Sequence, residues 1–219
     1  MEYLVIVGYF AVLLGEKEKN PGDDLLSAFN AAKDENGEPL SMMDKLAWCQ
    51  IIMVAGNETT RNATSGGMLA LIEHQDQLRK IQNDEGLLKP AIEEILRWTS
   101  PVIHFSRTAT RDCELGDRQI LEGEKVTIWY PSANRDESVF DDPFRFDVRR
   151  SPNPHVAFGA GGPHFCLGAN LARMEMRVAF EELLRRLPDM EYSRGGPVFQ
   201  GSSLVRSCAE MWVKYTPES

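Results

Sequence analysis

A largely apolar pattern that runs from Ser41 to about Glu73 limits the architecture more than any other feature of the chain. Ser41 followed by Asp44 resembles a capping box, which marks a helix start. The run therefore predicts one helix of roughly 45 Å, at about 1.5 Å per residue, long enough to cross a whole domain. Helices are also predicted over 3–17, from Asp24 to Ala32 with Asp23 as cap, over His74 to Asp84, over Leu87 to Trp98 with Pro90 in its first turn, and from Leu167 to Leu187. Asn20-Pro21-Gly22 and Ser100-Pro101 break the pattern, and Lys33 to Pro39 reads as a polar loop.

From Phe105 to Trp129 the pattern changes to alternation, punctuated at Gly116-Asp117 and Glu122-Gly123, which predicts short antiparallel strands. Val198 to Tyr215 reads as a hairpin turning near Ser207. The fold class is mainly α with small antiparallel β-sheets, an α+β arrangement. Pro131 to Pro163 is too long for an ordinary connector. Its aromatics Phe140, Phe144, Phe146 and Phe158 predict a packed segment.

Composition excludes several classes. The net charge of −9 is spread without a long like-sign block, which argues against nucleic-acid binding. Cys49, Cys113, Cys166 and Cys208 lie far apart with no CxxC pair, so neither a zinc site nor a disulfide framework is expected and the compartment reads as cytoplasmic. The apolar run Tyr3 to Leu14 is too short for a membrane span, and Glu2 stands where a signal peptide carries positive charge.

Three local patterns carry chemistry. Phe158-Gly159-Ala160-Gly161-Gly162-Pro163-His164-Phe165-Cys166-Leu167-Gly168 is a glycine-rich loop that delivers one cysteine directly onto a helix start. Helix N–H groups there favour an anionic sulfur, and glycines let the backbone pass close to a flat ligand. Glu94-Ile95-Leu96-Arg97 sets a carboxylate and a guanidinium three residues apart on one helical face. Ala55-Gly56-Asn57-Glu58-Thr59-Thr60 interrupts the long apolar run with a glycine and polar groups, which predicts a kink or a cavity.

Together these segments resemble the cytochrome P450 family, whose cysteine-ligand loop FxxGxxxCxG is matched here with one extra residue at Gly162-Pro163. The resemblance runs from about Ser41 to Tyr215 and implies the C-terminal portion of that fold over 1–219, with the N-terminal half absent. It implies haem b (iron protoporphyrin IX) ligated through the sulfur of Cys166, whose electron donation favours O–O cleavage. His164 and Arg107 resemble residues that meet the haem propionates, and Phe158, Gly159, Gly168, Ala55 and Gly56 fall at haem-lining positions. Glu58 and Thr59 resemble the acid and threonine that relay protons to bound O₂. Glu94 and Arg97 match the ExxR pair, joined by a third arginine, Arg150 or its competitor Arg145. Val102, Ile103, Leu204 and Val205 match positions that line the substrate pocket.

The implied activity is insertion of one atom of O₂ into a C–H bond of a hydrophobic substrate, with electrons from a ferredoxin-type donor and its NAD(P)H-dependent reductase. Segments 55–63, 96–111 and 153–173 look most like actinobacterial hydroxylases of steroid side chains and methyl-branched lipids. One alternative is a truncated, noncatalytic fragment unable to hold haem stably. Another sets the family aside and makes Cys166 a thiol nucleophile with His164 or His155 as its base.

Overall fold

The computed structural model describes residues 2–216. It divides into two compact units, Met1–Asn57 and Glu58–Ser219, with the division inside one long helix.

In the first unit, α1 (Glu2–Lys19) and α2 (Leu25–Ala31) precede the start of α3 (Met42–Glu73). The cap of α2 is Asp24 and not Asp23: Asp24 has an extended backbone (φ −147°, ψ 163°) that lets its Oδ1 accept the Ser27 N–H at 3.0 Å. Lys17 Nζ holds the same carboxylate at 2.7 Å. Asn30 Nδ2 donates to the Leu14 carbonyl at 2.8 Å, tying α2 to α1 beside the buried Leu14. At the start of α3, Ser41 Oγ accepts the Asp44 N–H at 3.2 Å and donates to Asp44 Oδ2 at 2.6 Å. The expected capping box is thus closed through the serine hydroxyl.

The second unit holds the remainder of α3, α4 (Gln75–Asn83), a 3₁₀ turn (Glu85–Leu87), α5 (Leu88–Thr99), α6 (Tyr130–Ala133) and α7 (Ala169–Arg186). Its core joins Leu71 of α3, Leu78 and Ile81 of α4, Ile92, Ile95 and Leu96 of α5, Phe146 and Val148 of the long connector, and Met176 and Phe180 of α7. Glycine makes the closest approach possible. A Cβ on Gly67 would lie 2.6 Å from Ile95 Cγ2 and 2.8 Å from Phe180 Cζ, so the α3 backbone is seated against α5 and α7. Ser100 ends α5 in the left-handed region (φ 41°), with its hydroxyl donating to the Arg97 carbonyl at 2.9 Å.

The sheets are four antiparallel pairs. β1 (His104–Thr108) pairs with β4 (Lys125–Trp129), and β2 (Cys113–Leu115) with β3 (Arg118–Ile120) through Gly116-Asp117, where Gly116 supplies φ +62°. β5 (Glu191–Tyr192) pairs with β8 (Val213–Lys214), and β6 (Val198–Gln200) with β7 (Ser207–Glu210). The last hairpin therefore turns over 201–206, and Ser207 opens its second strand. The reason is a competing pairing: Ile103 N–H donates to the Leu204 carbonyl at 2.8 Å and Arg206 N–H to the Pro101 carbonyl at 2.9 Å, which takes 204–206 out of hairpin register.

Of the four aromatics that predict a packed connector over 131–163, one lies outside. Phe140 and Phe146 are buried, but Phe144 is 67% exposed. Its neighbours explain this, because the Pro143 and Arg145 carbonyls both turn inward to accept from Arg97, at 2.8 and 3.1 Å, leaving the intervening ring outside. Among the described residues no helix is long and apolar enough to cross a membrane.

Candidate active site

Burial without hydration forces every polar atom of Glu94 and Arg97 to find a protein partner. Both side chains are fully buried. Arg97 Nε donates to Glu94 Oε2 and Nη2 to Oε1, each at 2.8 Å, while Nη1 reaches the carbonyls of Asn134 and Pro143, also at 2.8 Å. Glu94 takes further bonds from the Asp147 N–H at 2.9 Å, Arg150 Nε at 3.2 Å and Asn153 Nδ2 at 3.2 Å. Arg150 is the arginine that meets Glu94; its Nη atoms also donate to the Asp141, Asp142 and Arg145 carbonyls. The Arg145 side chain is 60% exposed and pairs with Asp147 instead. Together these bonds pin the connector to the buried face of α5.

A second cluster, not foreseen from the sequence, lies one residue away on the helix. Glu93 receives Arg173 Nε at 2.7 Å and Nη2 at 2.8 Å, and His155 Nε2 at 3.0 Å. Burial pushes the Glu93 carboxyl up, but the bonds from His155 and Arg173 outweigh it and hold the group at about 2. His155 Nδ1 accepts the Ala157 N–H at 3.2 Å, which places the ring proton on Nε2, facing Glu93. Both ring nitrogens are thereby engaged, so His155 is not the free base that a thiol-nucleophile site would need. Glu93-Glu94 was a readable doublet, but only the three-dimensional fold shows that its members face different partners.

Cys166 ends the glycine loop as an exposed thiol. The loop closes on itself, with Gly159 N–H donating to the Val156 carbonyl at 2.8 Å and Cys166 N–H to the Phe158 carbonyl at 3.0 Å. Gly159, Gly161 and Gly162 have φ of +89°, +96° and +77°, conformations that a side chain would strain. The helix begins later than expected: Leu167-Gly168 form a turn, Ala169 N–H reaches the Cys166 carbonyl at 3.3 Å, and α7 follows with Gly168 at its cap position. Arg173 stacks its guanidinium 4.5 Å above the Phe158 ring, at the start of the loop.

Val102 bridges Val205, and Ile103 bonds Leu204 through the backbone, so the four apolar positions form one short antiparallel contact. Arg107 and His164 are exposed, and the Arg107 guanidinium touches only the carbonyl of Ser106, at 3.1 Å, among the bonds of the described residues. Ala55 and Gly56 are exposed in the first unit. In the second unit Glu58 pairs with Arg61 at 2.6 Å, and Thr59 is half-buried. Helix α3 runs through this stretch as one element, as the long apolar run predicts.

The model of the family described as Cytochrome P450 matches residues 14–85 and 86–194. The chain belongs to the cytochrome P450 family. It is 49% identical over 192 residues to the methyl-branched lipid omega-hydroxylase of Mycobacterium tuberculosis, covering 87% of this chain and 45% of that protein. It is 44% identical over 189 residues to the steroid C26-monooxygenase of the same organism, covering 85% of this chain and 42% of that protein. Among solved structures, a Mycobacterium marinum cytochrome P450 in complex with pseudoionone superposes with a TM-score of 0.91 at 42% identity, over 97% of this chain and 51% of that one. The chain spans about half the length of the relatives it matches.

The family implies haem, and the residues present fit a thiolate-ligated one. The loop offers one accessible sulfur with no imidazole or carboxylate bonded to it among the described residues. A Cβ on Gly161, Gly162 or Gly168 would meet nothing within 4 Å, so the surface around the thiol is open to a flat partner. Phe165 and Leu167, on either side of Cys166, are exposed apolar side chains suited to a porphyrin face.

Proposed function

We propose that this cytochrome P450 holds haem b through the Cys166 thiolate and hydroxylates a hydrophobic substrate with O₂ and externally supplied electrons. The observation that carries the reading is the accessible Cys166 thiol at the end of a closed glycine loop in a chain of this family. Haem, when bound, supplies the redox chemistry of oxygen activation. The chain's own residues then bind, orient and move protons. Gly159 and Gly168 would keep side chains away from the macrocycle, and Phe158 would support the loop. His164 and Arg107 would meet the propionate carboxylates as exposed donors. Glu58 would carry a proton on its carboxylate, leaving its bond to Arg61, and pass it by way of the Thr59 hydroxyl.

Val102, Ile103, Leu204 and Val205 would bury part of the substrate. None carries a charge, so hydrocarbon burial is favoured at about 25 cal/mol per Å². Together with the named activities of the two mycobacterial relatives, this supports a methyl-branched lipid or a steroid side chain oxidised at a terminal carbon. A ferredoxin-type donor with an NAD(P)H-dependent reductase belongs to the same reading, and four free thiols suit a reducing, cytoplasmic compartment. Spectral titration of the haem-loaded protein with branched fatty acids and cholestenone-like sterols, followed by product analysis, tests the substrate. A spin-state shift and terminal hydroxylation are expected; no shift with any of them, or oxidation only at internal carbons, rejects it.

A further inference from the structure

We propose that Glu93, His155 and Arg173 are positioning residues that hold the Cys166 loop in the shape iron ligation requires. The inference deepens the haem-thiolate reading above and rests on it. Three elements meet at one carboxylate. Glu93 comes from α5, Arg173 from α7 seven residues beyond Cys166, and His155 from the connector just before the glycine loop. Arg173 binds Glu93 through two nitrogens, which fixes orientation as well as distance. The same guanidinium lies over Phe158, and the Phe158 carbonyl accepts the Cys166 N–H.

The restraint therefore runs from Glu93 through Arg173 and Phe158 to the backbone of the cysteine itself. His155 supplies the other end. Its Nε2–H faces Glu93 and its Nδ1 receives the Ala157 N–H, so the backbone entering the loop is set from the same carboxylate. Asn134 connects this entry to the buried pair, because its Oδ1 accepts the Val156 N–H at 2.8 Å while its carbonyl accepts from Arg97. The glycines explain why such support is needed: a loop with three residues at positive φ has little stiffness of its own.

Backbone hydrogen exchange over 158–166 in the haem-free chain reads the loop directly. Glu93→Gln and Arg173→Lys are expected to speed exchange there by about tenfold while the Ile95–Leu96 core amides keep their protection, because local opening is separable from global unfolding. His155→Gln, which keeps a donor toward Glu93, is expected to restore part of the protection lost in His155→Ala. On haem addition the carbon-monoxide difference spectrum should show a smaller thiolate-ligated fraction in Glu93→Gln and Arg173→Lys than in the wild type. Unchanged loop exchange in both, or acceleration spread equally over the core, overturns the positioning role. Should Glu93→Gln not fold, the charge-conserving Arg173→Lys carries the same comparison. Absence of a thiolate-type spectrum from the wild-type chain defeats the haem reading and this inference with it, and is seen before any variant is made.

Discussion

Arg97 and Glu94 form a two-pronged ion pair with both side chains entirely out of water, Nε to Oε2 and Nη2 to Oε1 at 2.8 Å. Neither charge has solvent to fall back on. Removing one partner strands the other, at a cost of about 3–5 kcal/mol for a buried pair. Glu94→Ala is therefore expected to lower unfolding free energy by that amount in chemical denaturation; a loss below about 1 kcal/mol would be the signature of a surface pair and would contradict the burial.

The two arginines that compete for Glu94 make a matched comparison. Arg150 reaches the carboxylate with a side chain only 9% exposed, whereas Arg145 contributes its backbone carbonyl and leaves its side chain in solvent. Arg150→Ala is expected to destabilise by about 3 kcal/mol, and Arg145→Ala by less than about 0.5 kcal/mol, as for a surface substitution. Equal losses in parallel denaturation curves, or a larger loss in Arg145→Ala, would contradict Arg150 as the side chain that meets Glu94.

Much of this was legible from the chain. The long helix, the Gly116 and Gly123 turns and the Glu94–Arg97 spacing are encoded locally, by period, turn chemistry and i,i+3 geometry. What stayed hidden depends on distant partners. Asp23 and Asp24 are equivalent as letters, and the choice falls to Asp24, which reaches Ser27 and Lys17. The hairpin shifts because 204–206 is claimed by 101–103, and Phe144 turns outward because Arg97 recruits the carbonyls on either side of it. Glu93, His155 and Arg173 lie as much as 80 residues apart in sequence, so no local pattern announces their meeting.

Glu93 also sets a pH dependence. Its folded carboxyl sits at about 2, below the ordinary 4.5, because the bonds from His155 and Arg173 outweigh burial. A depressed carboxyl stabilises the fold fully above about 4.5 and loses that contribution as pH falls toward about 2. Unfolding free energy measured across this window is expected to drop less steeply in Glu93→Gln than in the wild type, by up to about one proton's worth of slope. Identical slopes would show that Glu93 does not carry the linkage.

Thr59→Ala tests the proposed proton relay. Oxygen consumption is expected to persist while hydroxylated product falls and peroxide appears, since proton delivery is damaged and oxygen binding is not. The ratio of product formed to oxygen consumed checks it, and tight coupling in the variant would remove Thr59 from the relay.

The sulfur of Cys166 is the proposed iron ligand, and the carbon-monoxide difference spectrum of the reduced, haem-loaded chain reads that ligand without reference to substrate or redox partner. The wild type is expected to give the thiolate-type band of the family, and Cys166→Ala to lose it entirely while Cys49, Cys113 and Cys208 remain in place. A thiolate-type band retained in Cys166→Ala, or absent from a wild-type chain that has taken up haem, would contradict the assignment of Cys166 as the iron ligand.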